Sequence, residues 1–182
     1  RVNMDIDFYT AIDDLLPAGE AGAAMMGVTG FNSACFYRYA CIDFDQLVSN
    51  LNGDLDAARK TVEAFMRASV YAIPTGKQNS FAAQNPPSFL MAVVRDDGVC
   101  WSLANAFEKP VYASGSKDLI QASVEALDLY WKKLTNFYGD SAKPVVACMD
   151  GEEVLDSLKG ADIRVKSLDQ WVDTVVTSLR QE

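Results

Sequence analysis

Histidine is absent from the 182-residue sequence. The side chain that most often relays protons near neutrality and most often ligates metals is therefore missing, and enzymatic readings shrink to those that run on carboxylates. Four cysteines, Cys35, Cys41, Cys100 and Cys148, are scattered without the Cys-x-x-Cys spacing of a zinc site. Cys35 and Cys41 stand six apart on one face of an expected strand, too distant to bridge. The four read as free buried thiols of a reducing cytosol. No run of about 18 apolar residues occurs, so no transmembrane helix is expected, and no signal peptide is expected at the start. Positive charge is scarce as well: 16 Lys and Arg against 25 Asp and Glu leave a net charge of −9. That sign argues against a nucleic-acid binder, because phosphate contacts call for a basic face. A local groove can nevertheless be positive within an acidic chain, and Lys60, Lys77, Lys109 and Lys117 form a modest basic set. What the chain does have is an apolar fraction of 49%, ample for one core.

Periodicity divides the chain into short elements. Ser33 to Phe44 reads as a strand, with Phe36, Ala40 and Ile42 on one face and Cys35, Tyr37, Tyr39 and Cys41 on the other, the pattern of a central strand covered on both sides. Gly53-Asp54 opens a helix whose apolar face runs through Leu55, Ala58, Val62, Phe65, Ser69 and Ile73, ended by Pro74. Thr75 to Ser88 is a polar loop. Phe89 to Val94 and Val99 to Phe107 flank Asp97-Gly98 as a hairpin. Ser114-Gly115-Ser116 caps a helix carrying Ile120, Val124, Leu127, Trp131, Leu134 and Tyr138, stopped at Gly139. Lys143 to Cys148 is a strand, Asp150 to Gly160 a short helix, and Ile163 to Val165 a minor strand. Ser167-x-x-Gln170 is a capping box over Leu168, Trp171, Val172, Val175 and Leu179. The order from Ser33 to Cys148 is βαββαβ, which predicts an α+β, ferredoxin-like fold with a mainly antiparallel sheet and helices on one face.

Two blocks stand out: Met4-Asp5-Ile6-Asp7-Phe8-Tyr9-Thr10-Ala11-Ile12-Asp13-Asp14-Leu15 and Ala104-Asn105-Ala106-Phe107-Glu108-Lys109-Pro110. With Phe36-Tyr37-Arg38-Tyr39-Ala40-Cys41-Ile42 and the block from Gly76 to Pro86 they occur in an order and spacing that closely resembles CasC, the family of backbone subunits of type I-E CRISPR surveillance complexes (Cascade). The resemblance covers roughly the whole chain. It implies a modified RNA-recognition-motif palm at 33–182 and an extended, hairpin-like thumb at 1–32, with Pro17 to Asn32 as a mobile tip. Members of that family are about twice this length, and the chain opens at Arg1. The resemblance therefore makes it a C-terminal half, and an exposed sheet edge or apolar face is expected where the missing elements belong.

For function, the resemblance implies a non-catalytic subunit that binds CRISPR guide RNA (crRNA), polymerises head-to-tail in a cytoplasmic helical filament with other Cascade subunits, and presents the guide to a target DNA strand. No cofactor and no metal are implied. Phe8 and Tyr9 match thumb positions that press on the guide, with Thr10 beside them counted among the RNA-binding residues. Aromatic faces stack on any base, which suits a protein indifferent to sequence, the alternative being ordinary strand residues packed on the palm. Gly76, Lys77, Gln78 and Asn79 lie in a loop suited to sugar-phosphate contact, the alternative being a plain connector. Asn105 and Lys109 are expected where a strand leaves the sheet, Lys109 to meet a phosphate. Where the family commonly has lysines just beyond, this chain has Tyr112 and Ser114. Tyr37, Arg38 and Tyr39 are either exposed sheet aromatics or core. Asp5, Asp7, Asp13 and Asp14 keep open a rival class, a metal-dependent RNA-cleaving backbone subunit that would hold Mg²⁺ on these carboxylates.

Overall fold

Two sheets that share no strand organise the chain. A computed structural model describes residues 3–12, 23–139, 142, 144–149 and 164–179. The first sheet is an antiparallel ribbon of β1 (Asn3–Ile12) and β2 (Ala23–Ser33). The second runs β3 (Phe89–Val93), β4 (Pro144–Cys148), β5 (Arg164–Val165), its first pair antiparallel and its second parallel. Between and after them come α1 (Phe44–Asn50), α2 (Leu55–Tyr71), the one-turn α3 (Gln78–Phe81), a 3-10 turn at Ala104–Phe107, α4 (Leu119–Tyr138) and α5 (Leu168–Ser178). The class is α+β with an extended hairpin arm, as the sequence implies.

Alternation in β3 and β4 sets the layers. Leu90 and Ala92 lie opposite Ala147 and Val145, and this face packs on Val62, Met66 and Val70 of α2 and on Trp171, Val172 and Val175 of α5. Phe89, Met91 and Val93 share the other face with Val146 and pack on Val124, Leu127 and Trp131 of α4. Helices therefore cover both faces, not one. The central strand β4 shows why: Val145 and Val146 point to opposite faces and both are buried, the run of consecutive apolar residues that a doubly covered strand needs. Trp171 Nε1 donates to the Val145 carbonyl at 2.9 Å, so the largest side chain of the first core is also tied to the sheet. Arg67 of α2, held between Glu63 and Asp169 at 3.0 and 2.6 Å, adds an exposed link to α5.

Several local expectations move. Ser33 to Phe44 forms no strand: β2 precedes it, and 34–43 is an irregular connector anchored by side chains. Its apolar alternation comes from anchors to two different cores, Tyr37 to the second and Ile42 to the first. Asp43 then N-caps α1, which periodicity did not reveal. Part of the expected mobile tip is β2; residues 13–22 lie outside the described set. In α2 the buried line is Ala58, Val62, Met66 and Val70, while Phe65 is 42% exposed. The helix stops at Tyr71, three residues before Pro74, where the Arg38 guanidinium takes over the carbonyls of Ser69 and Ala72 at 2.7 and 2.8 Å.

The hairpin expected around Asp97-Gly98 does not form either. Asp97 closes a turn by accepting from Val99 N at 3.1 Å, but β3 pairs with β4. Trp101 and Leu103 instead pack against α4, and Leu103 N donates to Tyr37 Oη at 2.9 Å in place of a ladder bond. The N-cap of α4 is Asp118, in a reciprocal box with Gln121, whereas Ser114 to Lys117 makes a tight turn around Gly115. Gly139 stops α4 with a left-handed φ of 68°. Ser167 caps α5, although Gln170 accepts from Lys166 N and not from the cap residue. Asp128, 1% exposed among Val124, Leu127 and Trp131, has no counterpart in the sequence pattern. The helix expected at 150–160 lies outside the described residues. Among the described residues, the outer edge of β3 has no ladder partner.

Candidate nucleic-acid interface

The ribbon projects two chemically different faces, because residues opposite one another in an antiparallel pair share a face and neighbours along a strand do not. Phe8 sits opposite Val28 and Thr10 opposite Met26, in line with Met4 and Ile6. This face is uncharged, and Phe8 is 68% exposed, with Met4, Ile6, Met26 and Val28 all more than half exposed. The other face carries Asp5, Asp7 and Tyr9 opposite Phe31, Thr29 and Gly27. Phe8 and Tyr9, adjacent in sequence, are thus separated by the sheet.

Tyr9 has a specific seat. A Cβ on Gly27 would fall 2.4 Å from Tyr9 Cζ, so the phenol ring occupies the space beside the glycine of the facing strand. Absence of a side chain at 27 lets the aromatic cover the backbone. Tyr9 therefore braces the ribbon while Phe8 faces outward.

The base of the ribbon is joined to α3, a helical turn that interrupts the polar loop expected at 75–88; Gln78 and Asn79 lie in that turn, and Gly76 and Lys77 just before it. Phe31 meets Phe81 of α3 with centroids 4.7 Å apart. Lys77 and Ala82, on either side of α3, both adopt left-handed backbone (φ 55° and 46°), an uncommon conformation for residues with a Cβ and one that persists only where the surroundings impose it. Gln78 Nε2 donates to the Pro74 carbonyl at 2.8 Å, while Lys77 and Asn79 are exposed. Nothing lies within 4 Å of a Cβ built on Gly76, so the backbone there is open to approach. Since Val28 precedes Phe31 by three residues, Phe8 stands about 10 Å along the ribbon from this junction.

Asn105 and Lys109 are exposed but lie in and after the 3-10 turn, not at a strand end. Phe107 turns inward onto Tyr37, centroids 5.8 Å apart. Tyr37 is therefore core, Tyr39 is exposed, and Arg38 is occupied at the end of α2. Of the basic set, Lys117 is engaged by Glu125 at 2.8 Å. The structure brings the ribbon base and the Lys77 loop together directly, and attaches the Asn105 turn through the connector. Ile6, Met26 and Val28 were not singled out from the sequence. The Met4-Ile6-Phe8 alternation against Asp5-Asp7 was the available signal, but Met26 and Val28 needed β2 to be recognised as a strand. Asp5 and Asp7 share a face; Asp13 and Asp14 lie outside the described residues. Among the described residues no three metal-binding side chains converge, and no helix is long and apolar enough to cross a membrane.

An α+β palm with a solvent-facing two-stranded arm is the class this architecture defines. Over residues 1–174 the sequence matches the Cas_CT1975 family, described as CT1975-like protein, and the chain belongs to that family. A solved structure titled "CRISPR RNA-guided surveillance complex" contains a chain that is 32% identical, with a TM-score of 0.82, across 97% of this chain and 65% of that one. A second, titled "CRISPR RNA-guided surveillance complex, pre-nicking", matches with the same identity and TM-score over 97% of this chain and 51% of the other. The chain thus spans between half and two thirds of the length of these relatives. No curated protein sequence matches.

Proposed function

We propose that this chain is the RNA-holding part of a backbone subunit in a CRISPR RNA-guided surveillance complex of the type I-E, CasC kind. It binds guide RNA without catalysis, assembles head-to-tail with copies of itself along that RNA beside other subunits of the complex, and offers the guide to a target DNA strand in the cytoplasm. The observation that carries this reading is the uncharged, exposed ribbon face around Phe8, rooted on the loop that holds Lys77. An aromatic with no acid on its own face can stack on a base of any identity, and a lysine at the root can meet a phosphate. Sequence is then read by base pairing alone. Phosphates would avoid the opposite face, where Asp5 and Asp7 stand. Head-to-tail contact grows an open helix instead of a closed ring, as an RNA strand of arbitrary length requires.

Binding of labelled guide RNA across a salt series tests this. Lys77→Ala is expected to flatten the dependence of log K on log salt by ~0.7 if it loses one single-strand phosphate contact. Phe8→Ala should weaken binding equally for every guide sequence and leave the slope unchanged. Affinity unaffected by both substitutions would end the proposal. Mg²⁺-dependent RNA cleavage that is abolished by Asp7→Ala would replace it with the nuclease reading.

A further inference from the structure

The connector 34–43 determines how the ribbon leaves the palm, and it has no ladder of its own. Arg38 holds it to the end of α2, and Tyr37 holds it to Leu103. A third tie is covalent: Cys41 and Cys100, 59 residues apart in sequence with Cα atoms 6.4 Å apart, are joined as a disulfide. This corrects the expectation of four free thiols, which sequence spacing could not test because the pair meets only through tertiary structure. Cys41 adjoins Ile42 of the first core, and Cys100 adjoins Trp101 of the second. The bond therefore ties the connector to the segment that leads into Trp101 and Leu103. Both cysteines are exposed, as is Cys35; neither Cys35 nor the half-buried Cys148 takes part in a disulfide.

We propose that Cys41 and Cys100 form a redox clasp that fixes the connector when oxidised and frees it when reduced. Exposure is what makes the bond an exchangeable one, since thiol–disulfide exchange requires an attacking thiolate to reach a sulfur. The oxidant is a small-molecule disulfide of the glutathione class. One cysteine thiolate attacks it, forming a mixed disulfide and releasing one small thiol. The second cysteine thiolate then attacks the protein sulfur and expels the other small thiol. Two electrons and two protons pass from the protein to the small disulfide, and an excess of small thiol reverses both steps. Closing a loop of this length removes conformational freedom from the unfolded chain, and it also immobilises the connector in the folded one.

The test equilibrates the protein in glutathione buffers from reducing to oxidising, quenches with acid, alkylates, and maps the cysteines by mass spectrometry. Oxidising buffers should give a Cys41–Cys100 cross-linked peptide with Cys35 and Cys148 alkylated, and reducing buffers four alkylated thiols. The clasped form should melt ~5–15 °C above the open form, and amides of 34–43 should exchange about tenfold more slowly in it. Cys41→Ser and Cys100→Ser, both at exposed positions, should each abolish the difference; Cys35→Ser should keep it. Four alkylated thiols in every buffer would overturn the proposal. So would a cross-link through Cys35 or Cys148, or a clasp that leaves exchange in 34–43 unchanged.

Discussion

β1 and β2 run for ten and eleven residues and expose side chains such as Phe8 and Met26 on one face and Tyr9 on the other, whereas β3 and β4 are five residues each and covered by helices on both. The backbone geometry is the same and the source of order differs. In the palm, Val145 and Val146 are placed by what they pack against. In the ribbon, register is set by cross-strand pairing, with Tyr9 on Gly27 and Phe31 on Phe81 as its supports. A two-stranded ribbon alone is marginal in water, and natural sheets rarely leave a long apolar face exposed without use for it. Among the described residues, both faces of the palm's β3 and β4 are covered by the chain's own helices. The ribbon's apolar face is left exposed, and under the proposed function a stacked base would cover it.

The largest test of this contrast falls on the palm. Trp171→Ala removes the biggest side chain of the first core together with its bond to Val145, and should cost about 3–5 kcal/mol. That corresponds to a drop in melting temperature of roughly 6–20 °C, read by calorimetry. A small drop would mean that the palm, too, depends on a partner for its order. Phe8→Ala should do the reverse. Melting should shift by no more than about 1–2 °C, as for an exposed site, while RNA affinity falls by ~1–3 kcal/mol. If melting falls and the affinity of the folded protein does not, Phe8 is packing after all and the comparison fails.

Gly27→Ala sharpens the picture inside the ribbon. The new methyl occupies the place of the Tyr9 ring, so the ring must swing off its seat. Amide shifts in a two-dimensional NMR spectrum should be confined to β1 and β2, with the palm's melting unchanged; shifts reaching β3 or β4 would show that the two sheets are coupled. The smallest effect concerns Asp97, beside β3. The Arg95 side chain, and then Val99 N–H, hold its carboxyl at about 2, below the ordinary 3.8. A folded-state value below the unfolded one means that its contribution is complete above about 4 and disappears as pH falls through about 2. Asp97→Asn should therefore lower the melting temperature slightly above about pH 4, and that difference should disappear as pH falls through about 2. An equal difference at neutral and acid pH would discount the ionic origin.

Much of the helical part was legible from local signals. Asp54, Gly139 and Ser167 mark helix boundaries in sequence because the chemistry of a cap is contained in a few consecutive residues. The stripe of Val124, Leu127 and Trp131 follows from the helical period. Strands were harder. Alternation at 35–42 looked like a ladder but is produced by anchors to two cores. The Gly- and Met-rich run from Ala23 to Ser33 looked unstructured yet pairs residue by residue with β1. A strand is defined by its partner, which local sequence does not contain.

The same reason separates what sequence determined about function from what only tertiary structure decided. Sequence by itself determined the order of blocks that place the chain in its family, the acidic balance, and the absence of histidine. It also placed Phe8, Lys77 and Asn105 among the candidates. Folding decided that Phe8 and Tyr9 face opposite ways, that Tyr37 is core and Arg38 a helix cap, that the Lys77 loop is rooted on the ribbon through Phe31, and that Cys41 meets Cys100. Each of these depends on contacts between residues far apart in the chain, fixed by burial and pairing across the whole fold.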